Sequence, residues 1–255
     1  MSLTRPFHAL TAAAVVVAVA LGPAALPASA ATAQPLPSAD QLKSALLTAA
    51  DLGPGWTETP ATQSPSPSPS AGASPSASPS NPVTGCDALS ALINMYVTRP
   101  GAAIPRAETE LDGPNGNPMV TQALAAEPSD QLATDFNSAA DALKTCHTIT
   151  FNAGPSDTVT FTVSPVTLGD RKDAPAVHLD GTLAGVRLNG YVGIERFGAV
   201  AMAFGYFERQ GSNEQAASME YRTAVAKVER ALGAKAGSTT APTAVPATPT
   251  EGRRV

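Results

Sequence analysis

The sequence contains few of the residues that carry chemistry or strong charge. Its 255 residues include two cysteines, three histidines and one tryptophan, and only 15% are Asp, Glu, Lys or Arg. The formal net charge is −5, and no cluster of Lys and Arg stands out along the chain. Nucleic acids and anionic membranes are bound through such clusters. We therefore expect no nucleic-acid partner.

Catalytic motifs are absent as well. The sequence has no G-x-S-x-G elbow, no phosphate-binding or dinucleotide-binding glycine pattern, and no C-x-x-C or zinc-type spacing. His178 and Asp180 share one face of a predicted strand, but no second pair of metal ligands accompanies them. We therefore expect no catalytic residue, no metal site and no cofactor, and we expect that the protein is not an enzyme.

Only one long apolar run occurs, and it lies near the start of the chain. Arg5 precedes the uncharged run Ala9–Leu21, and Ala28-Ser29-Ala30 places small residues where signal peptidase cleaves. The run is too short for a stable membrane span. We interpret residues 1–30 as a secretory signal peptide and expect a secreted, extracellular protein whose mature form has no membrane span.

The two cysteines allow a single intramolecular bridge. In an oxidising compartment we expect Cys86 and Cys146 to form it, closing a loop of about 60 residues. In the chain-entropy model a loop of this length stabilises the fold by about 4 kcal/mol. Two free thiols or an intermolecular bond are the alternatives.

Composition divides the rest of the chain into structured and unstructured parts. Residues 61–83 are almost entirely Ser, Pro and Ala, which predicts an extended, disordered linker that acts as a spacer or carries O-glycans. It separates an N-terminal helical segment, 38–58, from a main domain, 84–233. Residues 234–255, rich in Ala, Thr and Pro, are predicted to be a disordered tail.

Three segments carry helix signals. Helices are predicted to begin at Ser38, near Ser129 and at Ser212, and the spacings to Gln41 and Gln215 fit capping boxes at the first and the last. Apolar residues at helical spacing follow the second and third starts. They are Leu132, Phe136, Ala140 and Leu143, and then Tyr221, Ala224, Val225, Val228 and Leu232 before Gly233.

Between the last two helices the apolar residues alternate with polar ones, which is typical of strands. The predicted strands are 107–111, 149–151, 158–163, 176–182, 186–195 and 199–207. Asn189-Gly190 could form a hairpin turn, but the alternation runs through it, so we favour one continuous strand and place the turn at Phe197-Gly198. We predict an α+β fold: a single layered domain in which a curved antiparallel sheet of about four to six strands packs against amphipathic helices.

The polar face of one predicted strand is a candidate binding surface. Arg187, Tyr191 and Glu195 alternate on the side opposite its apolar residues, and Arg171 lies in a charged turn nearby in sequence. If this face is open, these four residues could bind a small polar ligand. Alternatively, the N-terminal helix covers the face, with Trp56 as its anchor.

Short motifs along the chain resemble the PknH-like extracellular sensor domains of actinobacteria, which occur behind receptor kinases and as secreted proteins or lipoproteins. The matching pieces are Leu46–Leu52 followed by Gly53-Pro54-Gly55-Trp56, then Leu143–Cys146, Val159–Val163, Leu168-Gly169-Asp170 and Ser212–Leu232. The resemblance covers roughly 42–56 and 84–232 and implies a domain with a cleft for an extracellular ligand. Members of the family often have two disulfides, whereas this chain can form one, and here the linker interrupts the region before Cys86.

Together these features predict a secreted, non-catalytic, sensor-like domain that binds a small extracellular ligand or an envelope component, and acts as a monomer. Two alternatives remain open. One is a carrier that holds lipid or other apolar molecules between the sheet and the helices. The other is a small secreted hydrolase with a dispersed site.

Overall fold

A computed structural model of the chain describes residues 35–59, 83–86, 104–152 and 158–239. The predicted signal peptide, nearly all of the predicted linker and residues 240–255 lie outside this part. So does a short helix that the sequence suggests between residues 86 and 96.

The described residues include four α-helices, nine β-strands and a short 3₁₀ helix at Pro114–Gly116. The helices are α1 (Ala39–Ser44), α2 (Ala49–Leu52), α3 (Ser129–Thr145) and α4 (Glu214–Leu232). The strands are β1 (Thr57–Thr59), β2 (Val83–Thr84), β3 (Arg106–Asp112), β4 (Met119–Ala126), β5 (Thr148–Asn152), β6 (Thr158–Pro165), β7 (Ala176–Leu183), β8 (Val186–Phe197) and β9 (Val200–Arg209). None of the helices within these residues is long and apolar enough to cross a bilayer.

All nine strands belong to one antiparallel sheet in the order β1-β3-β4-β9-β8-β7-β6-β5-β2. The α+β class is confirmed, but the predicted count of four to six strands was too low. Strand β4 was missed because its residues are buried on both faces, which removes the alternation that marks a strand. As predicted, Asn189 and Gly190 lie within β8, where both pair with residues of β7 and β9. The chain then turns at Gly198.

The sheet has a hydrophobic core on each face. On one face, α3 and the disulfide pack over the apolar side chains of β5 to β9, with Leu143, Ile149 and Phe161 at the centre. On the other face, α4 and the N-terminal segment cover β3, β4, β8 and β9, with Phe204 and Tyr221 in contact edge to face. A disulfide joins Cys86 to Cys146, as predicted, and its Cα atoms lie 5.6 Å apart.

The N-terminal segment differs from the single helix that was predicted. The capping box at Ser38 is confirmed, since the Gln41 amide donates to Ser38 Oγ and the Ser38 amide donates to Gln41 Oε1. However, the helix ends at Ser44, a second short helix follows, and the chain then enters β1. The segment is part of the fold, because Leu42 and Leu47 are fully buried against the main domain.

Two predictions at the other end of the chain were also wrong. The cap of α4 is Asn213, whose Oδ1 accepts from the Ala216 amide at 3.0 Å, and there is no capping box between Ser212 and Gln215. Residues 234–239 belong to the folded part: Ser238 forms a bridge with Phe197. Gly233 ends α4 in a left-handed conformation with φ of 67°, as its sequence position suggested.

Candidate functional site

The four residues predicted to bind a ligand do not form one open surface. Tyr191 and Glu195 lie on the same face of β8, as predicted, but α4 covers this face and only 3% and 2% of their surfaces are exposed. The face is covered, as the second alternative proposed, although mainly by α4 and not by the first helix. Trp56 is partly buried at the margin of the same core.

Arg171 and Glu195 form an internal ion pair. Arg171 Nη1 lies 2.8 Å from Glu195 Oε1, and the same guanidinium donates to Asp173 at 2.6 Å. Tyr221 Oη donates to the other oxygen of Glu195 at 3.4 Å. Burial raises the pKa of Glu195, and the Arg171 charge opposes that rise. These contacts tie the loop between β6 and β7 to β8 and α4, so we assign the pair a structural role.

Arg187 and Tyr191 take part in separate contacts. Arg187 forms an exposed bidentate pair with Asp180, at 3.0 and 2.7 Å. Tyr191 stacks on the His178 ring with centroids 4.7 Å apart, and its hydroxyl lies 2.8 Å from Ser212 Oγ. The structure thus brings Arg171 and Glu195 together but not the predicted set of four.

A buried carboxyl group that sequence analysis did not identify lies on the opposite face of the sheet. Glu127 follows β4 directly and precedes α3, and its amide donates to the Ala199 carbonyl at 2.9 Å. Its side chain is completely buried. Within the described part of the chain, neither of its carboxyl oxygens has a hydrogen-bond partner. A buried carboxyl group is more stable when donors reach both of its oxygens.

Charged residues from two other elements, β3 and α3, influence Glu127. Burial, followed by the nearby negative charge of Asp135, raises the pKa of Glu127 to about 7, and the positive charge of Arg106 opposes this rise. Asp135, on α3, is itself buried, and it accepts a 2.6 Å hydrogen bond from Gln131 Nε2. We call Glu127, Asp135 and Arg106 the Glu127 cluster.

Arg196 of β8 fixes the helix that carries part of this cluster. Its Nη2 donates to the Ser129 carbonyl at 3.0 Å, and its Nε donates to the Gly198 carbonyl at 2.9 Å. The first turn of α3 is therefore held to the end of the sheet, and the position of Asp135 relative to Glu127 is set by hydrogen bonds.

Small residues line the sheet next to Glu127. The facing pairs on β4 and β9 are Thr121 with Gly205, Ala123 with Ala203, and Ala125 with Ala201. We call these six residues the small-residue floor. The Phe207 ring packs over Gly205 at one end of this floor. Glu127 directly follows the strand at the other end of the floor.

Sequence analysis missed the Glu127 cluster for a definable reason. A glutamate before Pro128 and a helix start is an ordinary solvent-facing flank, and β4, which carries Glu127 into the interior, was not recognised. The available signal was the apolar run Leu124–Ala126 directly before it. A carboxyl group whose pKa is near 7 can exchange a proton at neutral pH, accept hydrogen bonds from a ligand, or bind a cationic one. Among the described residues, no group of three or more potential metal ligands occurs.

Comparison with known proteins gives little guidance. No family model matches the chain, and no curated protein matches it. The extracellular domain of PknH from Mycobacterium tuberculosis is similar, with 16% identity and a TM-score of 0.48, over 77% of this chain and 97% of that chain. It is the kind of domain that the short sequence motifs resemble. With an identity and a TM-score this low, the match carries no conclusion about this chain.

Proposed function

We propose that this protein is an exported, non-catalytic module that binds a small polar ligand at the Glu127 cluster. The observation that carries the proposal is the completely buried carboxyl group of Glu127, whose two oxygens have no partner among the described residues. A ligand with an amine or several hydroxyl groups supplies the missing donors.

The charges around Glu127 favour a ligand with an amine. Asp135 adds negative charge near Glu127, and Arg106 offsets part of it. A cationic group between the two carboxyl groups would stabilise the ionised form of Glu127. Such a ligand therefore binds more tightly above pH 7 than below it, whereas a neutral ligand with hydroxyl groups shows a weaker pH dependence.

Two features support export. The disulfide between Cys86 and Cys146 is of a kind that persists in oxidising compartments. The N-terminal sequence has the pattern of a secretory leader. The mature protein then works outside the cytoplasm, as a monomer.

Matched probe pairs test the ligand class. Thermal unfolding at pH 8 is measured with glucosamine and glucose, and with ethanolamine and ethylene glycol. We expect the amine of each pair to raise the Tm of the wild type, and Glu127→Gln to lose this response. Glu108→Gln, an exposed glutamate on the neighbouring strand β3, should keep it. A response that persists in Glu127→Gln, or the lack of a response to every probe, contradicts the proposed site.

The pKa of about 7 at Glu127 also favours a second candidate, a hydrolase that uses Glu127 as a general acid. Asp135 would then be the second carboxyl group. Turnover of generic ester, peptide or glycoside substrates that Glu127→Gln abolishes would establish the hydrolase instead of the binding module.

A further inference from the structure

We propose that the group bound at the Glu127 cluster is a guanidinium, the planar cation of guanidino compounds and of arginine side chains. This inference rests on the proposed function and specifies its ligand: among cations, the site takes a guanidinium in preference to an ammonium group. The guanidinium donates to both carboxyl oxygens of Glu127 at once.

The carboxyl group of Glu127 lacks donors at both of its oxygens. Its side chain is completely buried, and within the described residues neither Oε1 nor Oε2 accepts a hydrogen bond. The two oxygens lie side by side in one plane. A guanidinium directs a pair of parallel N–H groups along such a plane, so that each oxygen accepts one of them. A primary ammonium directs its N–H groups to the corners of a tetrahedron, so it matches only one oxygen with good geometry.

The backbone places Arg106 near Glu127 without joining the two side chains. Arg106 of β3 pairs with Ala125 of β4, and the ladder between β4 and β9 continues through the Glu127 amide. Arg106 and Glu127 therefore project from the same face of the sheet as diagonal neighbours, about 7–8 Å apart. Arg106 nevertheless donates no hydrogen bond to either oxygen of Glu127. A second guanidinium supplies the hydrogen bonds that Arg106 does not.

Charge balance favours a ligand with a single positive charge. Asp135 of α3 is buried, and one of its oxygens accepts a hydrogen bond from Gln131 Nε2 at 2.6 Å. When both carboxyl groups are ionised, Asp135 and Glu127 carry two negative charges against the one positive charge of Arg106. A monocation balances the remaining charge. A dication or an anion leaves the buried cluster with a net charge, which is unfavourable away from water.

Burial limits the shape of the ligand as well. Because the Glu127 side chain is fully enclosed, a bulky group cannot reach it without displacing packed residues. A guanidinium is thin and planar, and it stands at the end of a narrow stem in small guanidino compounds and in arginine. A quaternary ammonium group is bulky and has no N–H donor, so it meets neither requirement. Two sources remain, a free guanidino compound and an arginine side chain of a peptide or protein.

Three monocations with different hydrogen-bonding capacity test the inference in the wild-type protein. Titration calorimetry at pH 8 measures the affinities for methylguanidine, methylamine and tetramethylammonium, well below the concentrations at which guanidinium salts unfold proteins. We expect methylguanidine to bind about tenfold more tightly than methylamine, because it makes a further charge-assisted hydrogen bond. Tetramethylammonium should not bind. The comparison needs no variant, so it does not depend on the folding of one.

The outcomes separate this inference from the proposed function. Methylamine that binds as tightly as methylguanidine overturns the guanidinium and leaves the proposed function standing. Binding of tetramethylammonium with a similar affinity also overturns it, because the site then responds to charge alone. If none of the three cations binds, the guanidinium and the amine ligand are both contradicted.

Variants of the two carboxyl groups locate the preference. Glu127→Gln removes the charge and replaces one acceptor oxygen by a donor, so it should abolish the binding of methylguanidine. Asp135→Asn removes charge but leaves both oxygens of Glu127, so it should weaken both ligands and preserve the ratio of their affinities. Glu108→Gln is the control and should bind as the wild type does. Methylguanidine that binds Glu127→Gln with unchanged affinity occupies another site, which would contradict the assignment.

A matched pair of peptides distinguishes the two sources. One is a blocked tripeptide with a central arginine between glycines, and the other has lysine in its place. An arginine peptide that binds at least as tightly as methylguanidine identifies a polypeptide ligand, whereas binding of methylguanidine alone identifies a free guanidino compound. A lysine peptide that binds as tightly as the arginine peptide would contradict the guanidinium.

Discussion

At the scale of single residues, the buried charges of this protein are of two kinds. Glu195 has an ion-pair partner in Arg171 and a hydrogen bond from Tyr221. Glu127 has neither within the described residues, although Arg106 is near enough to lower its pKa. The first arrangement stabilises the fold, and the second is the basis of the proposed ligand site. Sequence spacing placed Tyr191 and Glu195 on one face, but it could not show that a helix far along the chain covers them.

The proton equilibrium of Glu127 makes stability depend on pH. Its pKa is about 7 in the folded state against 4.5 normally, so the folded state binds the proton more tightly than the unfolded state. The resulting stabilisation is complete below pH 4.5 and is lost as the pH rises through 7, by about 3 kcal/mol in all. Glu127→Gln should therefore be more stable than the wild type at pH 8 and similar to it at pH 4.5.

Urea unfolding from pH 4 to pH 9 checks this difference. Asp135, Glu195 and Glu220 also have raised pKa values, but they are present in both proteins, so the comparison isolates Glu127. Glu108→Gln should follow the wild-type curve. Parallel curves for wild type and Glu127→Gln would show that Glu127 titrates normally.

The two arginines of the predicted site should differ in their contribution to stability. Arg171→Ala leaves Glu195 buried without its cation, which we expect to cost about 2–3 kcal/mol. Arg187→Ala removes an exposed, solvent-screened pair with Asp180 and should cost much less than Arg171→Ala. Urea unfolding at pH 7 measures both. Adding Glu195→Gln to Arg171→Ala should recover part of the loss, and equal costs for the two arginines would refute this assignment.

At the scale of elements, sequence patterns succeeded where one face of an element is polar. The strict alternation of β6 and the helical spacing of α3 and α4 predicted these elements correctly, because each has one solvent-exposed face and one buried face. The same reasoning failed for β4, which is buried on both faces. It also could not identify β1 and β2, the short strands at the two edges of the sheet. These short strands depend on partners distant in sequence, which local patterns do not encode.

Helix capping in α4 offers a direct test at this scale. Because Asn213 caps the Ala216 amide, Asn213→Ala should cost about 1 kcal/mol, and Asn213→Asp should restore most of it. Gln215→Ala should be neutral or slightly stabilising, since Gln215 does not close a capping box. Thermal unfolding compares the three variants. A larger loss for Gln215→Ala than for Asn213→Ala would support the cap predicted from sequence.

At the scale of the whole molecule, the chain is held together by a disulfide at one edge of the sheet and by noncovalent packing at the other. The disulfide joins Cys86, which follows β2 at one edge of the sheet, to Cys146, the C-cap of α3. The N-terminal segment covers the opposite edge through noncovalent contacts, without a disulfide. Composition and cysteine count predicted the bridge, but the position of the segment follows from packing that involves residues 176 positions apart.

Loss of the disulfide should weaken the whole fold. Cys86→Ser should lower the free energy of unfolding by up to about 4 kcal/mol, since the bridge closes a 60-residue separation. Reductant should destabilise the wild type to a similar extent and leave Cys86→Ser unchanged. Identical melting of the wild type with and without reductant would rule out a stabilising bridge.

Because α1 and α2 rest on α4, the order in which the polypeptide is made matters. The ribosome synthesises residues 35–59 early. However, the surface on which they pack includes Lys227 and is complete only when synthesis has reached about Leu232. This early segment is thus among the last to reach its final packing position. Until then, three leucines of the N-terminal segment remain exposed to solvent. An incomplete or stalled chain therefore presents an apolar segment that quality-control proteases can bind, whereas the completed chain buries it.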